Sequence, residues 1–469
     1  MVDQPNVNPQ VFYIWTSLLL GVCINCTTSI KNSFAGIFIC QRFIFPRDWP
    51  VHRLDAPHQA NVETYMKSLK YVLLASLLLS QIVHADDTPN TYVSTPYIGL
   101  RYRDSTLHQD NLADTGHAHT LRLQLGYLWA LTPHLAAYAE GTKVWSLFGQ
   151  QYNDTTGRRT PYPAEPDPRS TELSSAWVGY TDDWFEIRAG RQYLNIDDKR
   201  FFSSNAWRQN PQSFDGITGK LKLGSTTTLG LDWIDQVNRT VGADFPDVDQ
   251  RRWKLDGKLL HLDQVLPLGT LTVYGYFIKN FTLAADSVRT EGARWVGNLP
   301  LQGGSTRLSW TLEGAHQNNY DNNPAHFSLP YHFFELGYGL PAISARLGEE
   351  SLGGNGHTAF NIAYGSGHSF DGWVGVFSIP PHGLQDRYGG VYGDLPWHNL
   401  SWLLTYHDFA PVTGDGRRYG DEIDFGLRAN VNTRLSLELQ YGDYRANSFS
   451  VSQRKLWLLA EYRYGKQQI

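Results

Sequence analysis

The sequence predicts an all-β protein: a transmembrane antiparallel β-barrel of about 18 strands, with short periplasmic turns and long extracellular loops. Three observations predict it. A secretory leader precedes the strand-rich part of the chain, the dominant hydrophobic period from Tyr97 onward is two, and the connections alternate between short and long.

The leader begins at Met66, with MKSLKYVLLASLLLSQIVHADD. Two lysines, an apolar run from Tyr71 to Leu79, and the small-residue Val83-His84-Ala85 form the three parts of a signal peptide, with cleavage expected after Ala85. The apolar run is too short for a transmembrane helix. Residues 1–65 are therefore expected to be a mis-called N-terminal extension, 66–85 the signal peptide and 86–469 the barrel. Cys23, Cys26 and Cys40 all lie in the extension, so the mature part has no cysteine, as suits an oxidising periplasm.

The strands follow from strict alternation. Leu121, Leu123, Leu125, Tyr127 and Trp129 alternate with Arg122, Gln124, Gly126 and Leu128. The same pattern returns at Leu308, Trp310 and Leu312, at Ile423, Phe425 and Leu427, and at Leu435, Leu437 and Leu439. In chain order, short turns are expected at 131–134, 181–183, 224–225, 263–269, 302–304, 341–342, 395–398 and 432–433. Long polar loops are expected near 105–117, 148–172, 195–213, 238–250, 280–292, 317–330, 352–383, 411–418 and 445–453. Nine loops and eight turns make 18 strands, and an even number puts both ends of the barrel on one side. A soluble sandwich or propeller also alternates, but its connections do not sort by length in this way. Trp129, Trp184, Trp402, Tyr406, Tyr462 and Tyr464 near strand ends suit the aromatic girdles of such barrels.

Charge narrows the partners. The whole chain has 40 basic and 45 acidic residues, and removing residues 1–85 leaves 34 and 41, net −7. Nucleic acid is excluded as a partner at that balance. No apolar run of ~18 residues follows Ala85, so only strands can cross the lipid. The expected location is the outer membrane of a Gram-negative cell, and the expected partners are membrane lipid and a small solute or saccharide.

An 18-stranded barrel is wide enough for an aqueous lumen, so function is expected on inward residues and infolded loops. Giving the apolar parity of each strand to lipid puts Arg101, Arg103, Arg122, Arg188, Lys220, Lys222, Arg252, Lys254, Lys258, Arg307, Arg346, Arg428 and Arg463 inside, on the substrate path. Glu140, Glu186, Asp232, Asp256, Glu313, Glu335, Glu350, Glu422, Asp424, Glu438 and Glu461 are the acidic counterparts. The sixth and eighth strands carry Lys220, Lys222, Arg252, Lys254 and Lys258 against Asp256 alone, which reads as a basic wall that concentrates anions. His407-Asp408, and Ser369 beside His368, are residues a hydrolase could use. No nucleophile elbow, metal-ligand spacing or phosphate-binding glycine loop accompanies them, so no catalytic residue, metal or cofactor is expected.

Three passages resemble the alginate export family of outer-membrane barrels. One is Gly190-Arg191-Gln192, followed by Asp198-Lys199-Arg200-Phe201, Trp207-Arg208-Gln209 and Ser213-Phe214-Asp215-Gly216. Another is Gly367-His368-Ser369-Phe370-Asp371-Gly372-Trp373 with Pro381-His382-Gly383-Leu384-Gln385-Asp386, and the last is Tyr406-His407-Asp408-Phe409 with Tyr419-Gly420-Asp421-Glu422-Ile423-Asp424. The resemblance implies a barrel passing an anionic polysaccharide through an arginine-rich lumen. It adds Arg191 and Arg208 to the path, with Asp215, Asp371 and Asp424 as matched acidic positions. The chain departs from the family in its net acidic mature part and in an end, Tyr464-Gly465-Lys466-Gln467-Gln468-Ile469, without a terminal aromatic. A channel for an anionic saccharide, a porin for small organic acids or other nutrients, a barrel enzyme and a purely structural barrel are the competing readings, with 195–213 or 352–383 as the loop that narrows the pore.

Overall fold

The computed structural model describes residues 93–395, 399–414 and 416–468. The expected leader, 66–85, and the expected extension, 1–65, lie outside the described residues. The first half of the chain forms β1 (Thr95–Gln109), β2 (Gly116–Ala130), β3 (Leu135–Ser146), β4 (Ser170–Thr181), β5 (Phe185–Gln192), β6 (Ser213–Leu223), β7 (Thr227–Asn238), β8 (Arg252–Leu266) and β9 (Gly269–Asn280). The second half forms β10 (Val288–Leu301), β11 (Thr306–Asn319), β12 (Ser328–Gly339), β13 (Ile343–Leu352), β14 (Leu384–Leu395), β15 (Leu400–Ala410), β16 (Gly420–Asn430), β17 (Leu435–Ala446) and β18 (Gln453–Tyr464). Each strand pairs antiparallel with its sequence neighbours, and β1 pairs with both β2 and β18. The sheet closes with no free edge, which satisfies every strand's backbone groups without water.

The outer face carries the apolar parity. Leu125, Val178, Leu231, Leu260, Leu312, Leu336 and Leu347 are exposed there, Leu347 to 66%. A belt of bare leucine and valine around the ring has no soluble explanation and is the surface a bilayer covers. Trp129, Trp184 and Tyr406 are exposed on the same face.

The parity rule fails at β8. Trp253, Leu255 and Leu259 are buried at 7%, 1% and 3% exposure, whereas Leu260 and Leu262 are exposed at 45% and 37%. The buried set packs with Phe202, Phe214 and Tyr364, which belong to the inside or to infolded loops. Arg252, Lys254, Asp256 and Lys258 therefore lie on the outer face, not on the lumen wall. Lys254 pairs with Asp235, and Lys258 with Asp256 at 3.0 Å. Asp256 also accepts from the indole of Trp233, a ring of the outer surface. The physical reason is that loops cover the wall here, so the inner face of β8 is apolar at Trp253, Leu255 and Leu259, while its outer face is charged from Arg252 to Lys258 and apolar only at Leu260 and Leu262. Lys258→Ala is thus expected to leave ion selectivity unchanged, while Leu260→Arg is expected to destabilise insertion by ~2–4 kcal/mol if it lies near the bilayer midplane. Bilayer conductance checks the first and a denaturant refolding titration into vesicles the second.

Candidate functional site

Three loops turn inward: 147–169, 193–212 and 353–383. The central one, 193–212, is the passage after Gly-Arg-Gln. Gly190 has φ +128°, and a Cβ there would stand 2.3 Å from the carbonyl oxygen of Ala176, so only glycine lets β5 end this close to β4. Tyr193 then donates to Glu140 at 2.6 Å, inside the wall.

From there the loop is pinned residue by residue. Asp197 meets His261 of β8 at 3.1 Å. Asp198 pairs with Arg294 of β10, whose guanidinium also holds Glu313 of β11 at 2.7 Å. Arg200 forks onto Glu350 of β13 at 2.6 and 2.8 Å and reaches Asp371 at 2.9 Å. Farther on, the carbonyls of Ala206 and Trp207 accept from Arg101 at 2.8 and 3.2 Å, and Trp207 also accepts from Arg103 at 3.1 Å. Arg122 donates to the carbonyl of Arg208 at 3.3 Å. In a closed ring of 18 strands, β1 and β10 are diametrically opposed. One loop touching both is a strap across the lumen.

The second loop, 353–383, packs against the strap. Ser203 N–H donates to the carbonyl of Tyr364 at 3.0 Å, and a Cβ on Gly365 would stand 1.8 Å from the carbonyl oxygen of Arg200. His368 stacks on Trp207 at 3.9 Å and on Trp373 at 5.8 Å. On its far side the loop is held by the wall, with Trp373 N–H donating to Asp424 at 3.1 Å and Val374 N–H to Glu422 at 2.8 Å. The third loop supplies Glu165 and Asp167 to the buried Arg103, and Trp457 of β18 donates to Glu165 at 3.1 Å.

The loop groups are tuned by these partners. Burial works against charge on Arg200, but Asp371 and Glu350 outweigh it and raise its affinity for the proton. Burial pushes the carboxyl of Glu165 up, and Arg103, Lys455 and Arg208 more than reverse this, so it stays ionised. Burial, reinforced by Arg208, lowers His368 to about 3, which keeps the stacked imidazole neutral.

The predicted path residues fall into three groups. Arg101, Arg122 and Arg463 surround the single carboxylate of Glu461 at 2.9, 2.9 and 2.7 Å. Arg188 pairs with Glu186, Arg346 with Glu335 and Arg428 with Glu438, at 3.0, 3.6 and 3.7 Å. Lys220, Lys222 and Arg307 are on the inner parity and are exposed; on the same faces Thr218, two residues before Lys220, bonds to Gln192, and Glu313, six residues after Arg307, bonds to Tyr274 and Arg294.

Arg191 and Asp215 pair bidentately at 2.7 and 2.8 Å. Gln236 and Asn238 donate to the same carboxylate, on the parity opposite buried Phe214 and Val237. That pair belongs to the outer face at the loop end of the barrel and clamps the strand ends on either side of the strap. Arg208 stands 3.7 Å from Glu165. Asp371 and Asp424 both hold the second loop.

Arg200, Glu350, Arg294, Asp198, Glu165 and Asp167 form the pins, and sequence reasoning did not single out Arg200 or Asp198 as site residues although both stand in the quoted motif. The one available signal was an acidic-basic run inside a long loop. His407 pairs with Asp386 at 2.8 Å and not with Asp408, and the ring of His368 is held by the indoles of Trp207, Trp373 and Trp457 and by Gln440 at 3.1 Å rather than by Ser369.

The profile of the family described as alginate export matches residues 97–375, more than half of the chain. The chain belongs to the alginate export family. This member is an outer-membrane channel of a Gram-negative cell, and its solved structural neighbours are outer-membrane barrels. OpdK of Pseudomonas aeruginosa, solved with vanillate, aligns with a TM-score of 0.62 at 16% identity over 79% of this chain and 98% of its own. OccAB4 of Acinetobacter baumannii aligns at 0.64 and 13% identity over 80% and 100%. OccK9 (OpdG) of P. aeruginosa gives 0.64 and 12% over 80% and 98%. At these identities the likeness is one of fold. No curated protein matches the chain.

Proposed function

We propose that this alginate export family barrel passes an anionic saccharide, a uronate oligomer or polymer, passively through the lumen beside the strap. The observation that carries the reading is the cluster of Arg101, Arg122 and Arg463 around one Glu461: three guanidinium groups share a single carboxylate on neighbouring strands. Arg101 and Arg122 are buried beneath the strap, so the excess positive charge acts on a passing carboxylate as a field and through the exposed Arg463, and the shared acid keeps the binding weak enough for release. Inward Lys220, Lys222 and Arg307 extend the same field along the wall.

A second reading, a porin for small organic acids, is favoured by the lumen-crossing strap, which leaves less room for a polymer, and by the neighbour solved with vanillate, an aromatic carboxylate. Planar-bilayer recordings discriminate the two. The saccharide reading expects an anion-selective channel that oligouronates block at lower concentration than vanillate does. Stronger block by vanillate transfers the assignment to small acids, and cation selectivity with no response to either removes both.

A further inference from the structure

At Asp198 and Arg200 the strap is pinned by arginine–carboxylate pairs, and a guanidinium keeps its charge at every ordinary pH. Asp197 is held differently. Both of its oxygens lie within hydrogen-bond reach of His261 Nε2 on β8, at 3.2 and 3.1 Å. On the opposite edge of the ring, Nδ1 stands 3.5 Å from Asp263. The imidazole therefore faces a carboxylate at each nitrogen. Only a protonated ring carries an N–H at both; a neutral ring turns a lone pair toward one of the two carboxylates.

The strap at this point is poised to let go. Asp197 and Lys199 hold left-handed backbone at φ +49° and +74°, a conformation that costs energy in a residue with a side chain. Among the described residues, the Asp197 carboxylate makes no hydrogen bond except to His261. Asp263, in contrast, keeps the Thr272 hydroxyl as a donor at 2.6 Å. The other groups around the ring are mainly acidic. Asp232 of β7 faces it, with Lys220 of β6 near that carboxylate. Its register partners are Gly230 of β7 and Tyr274 of β9, whose hydroxyl is turned to Glu313 of β11. On the strap, Asp198 is turned away to Arg294 of β10.

We propose that His261 is a pH-sensitive latch on the strap. Protonated, it ties Asp197 to β8 and keeps the lumen narrowed; neutral, it frees this stretch, and the strap opens more often. The latch holds while the ring is charged and is lost as pH rises through the ring's titration. The inference does not depend on which solute the channel carries.

The test is single-channel recording of the purified barrel in planar bilayers in potassium chloride, at about pH 6 and about pH 9, chosen to bracket imidazole titration. The native channel is expected to open roughly tenfold more often at the higher pH, the factor that loss of one charge-assisted hydrogen bond gives. His261→Gln, which keeps a donor without a charge, is expected to open equally often at both. His261→Lys, charged at both, is expected to stay in the low-frequency state. Heat-modifiable gel mobility reports closure of each barrel. An unchanged native frequency, or the native rise persisting in either folded variant, overturns the latch.

Discussion

Arg200→Ala is expected to raise single-channel conductance several-fold and to lower the stability of the folded barrel by ~3–5 kcal/mol, the cost of breaking a buried ion pair and leaving its partners charged. Arg200 is fully buried and is the one residue that ties the strap to β13 and to the second loop at once, through Glu350 and Asp371. Removing it leaves two carboxylates facing each other with no cation between them, and their repulsion drives the loops apart. Arg200→Lys is expected to fall between, since an ammonium is a point charge that cannot satisfy the fork that Glu350 accepts. Planar-bilayer recordings and thermal melting check both effects. Unchanged conductance in a folded Arg200→Ala barrel would mean that the strap does not limit flow.

The second large effect is on selectivity. Reversing Lys220, Lys222 and Arg307 to glutamate is expected to turn anion preference into cation preference, with the permeability ratio moving by about tenfold or more. Each unit charge in a water-filled lumen acts on a passing ion with about 0.4–0.8 kcal/mol at 5–10 Å, and three reversals change six units. The effect should shrink at high salt, because the Debye length falls to ~3 Å at 1 M. Reversal potentials under a salt gradient measure it. All three side chains are exposed, so the substitutions leave the packed loops untouched.

The barrel itself was legible because its physics is local. A strand between lipid and water must alternate, and its connections must be short on one side and long on the other, so the turn residues and the period of two predicted all 18 strands. The inner parity of Arg101, Arg122, Lys220 and Glu461 followed from the same alternation. At β8 the rule inverted, since Leu255 and Leu259 are apolar for the sake of the loops that cover them and not for lipid. Asp198 and Arg200 were visible as a charged run in a long loop, but nothing in the run names Arg294, Glu350 or Asp371 as partners.

By itself the sequence determined the strand count, the alternation of faces and the family resemblance, because each depends on residues a few positions apart. Only the tertiary structure decided that Asp-Asp-Lys-Arg spans the lumen, that Arg191 and Asp215 clamp the outer rim, and that Asp197 meets His261. Those contacts join residues 24 to 171 positions apart. They exist because a closed ring brings opposite walls within reach of one loop, and ring closure is a property of the whole sheet that no short segment encodes.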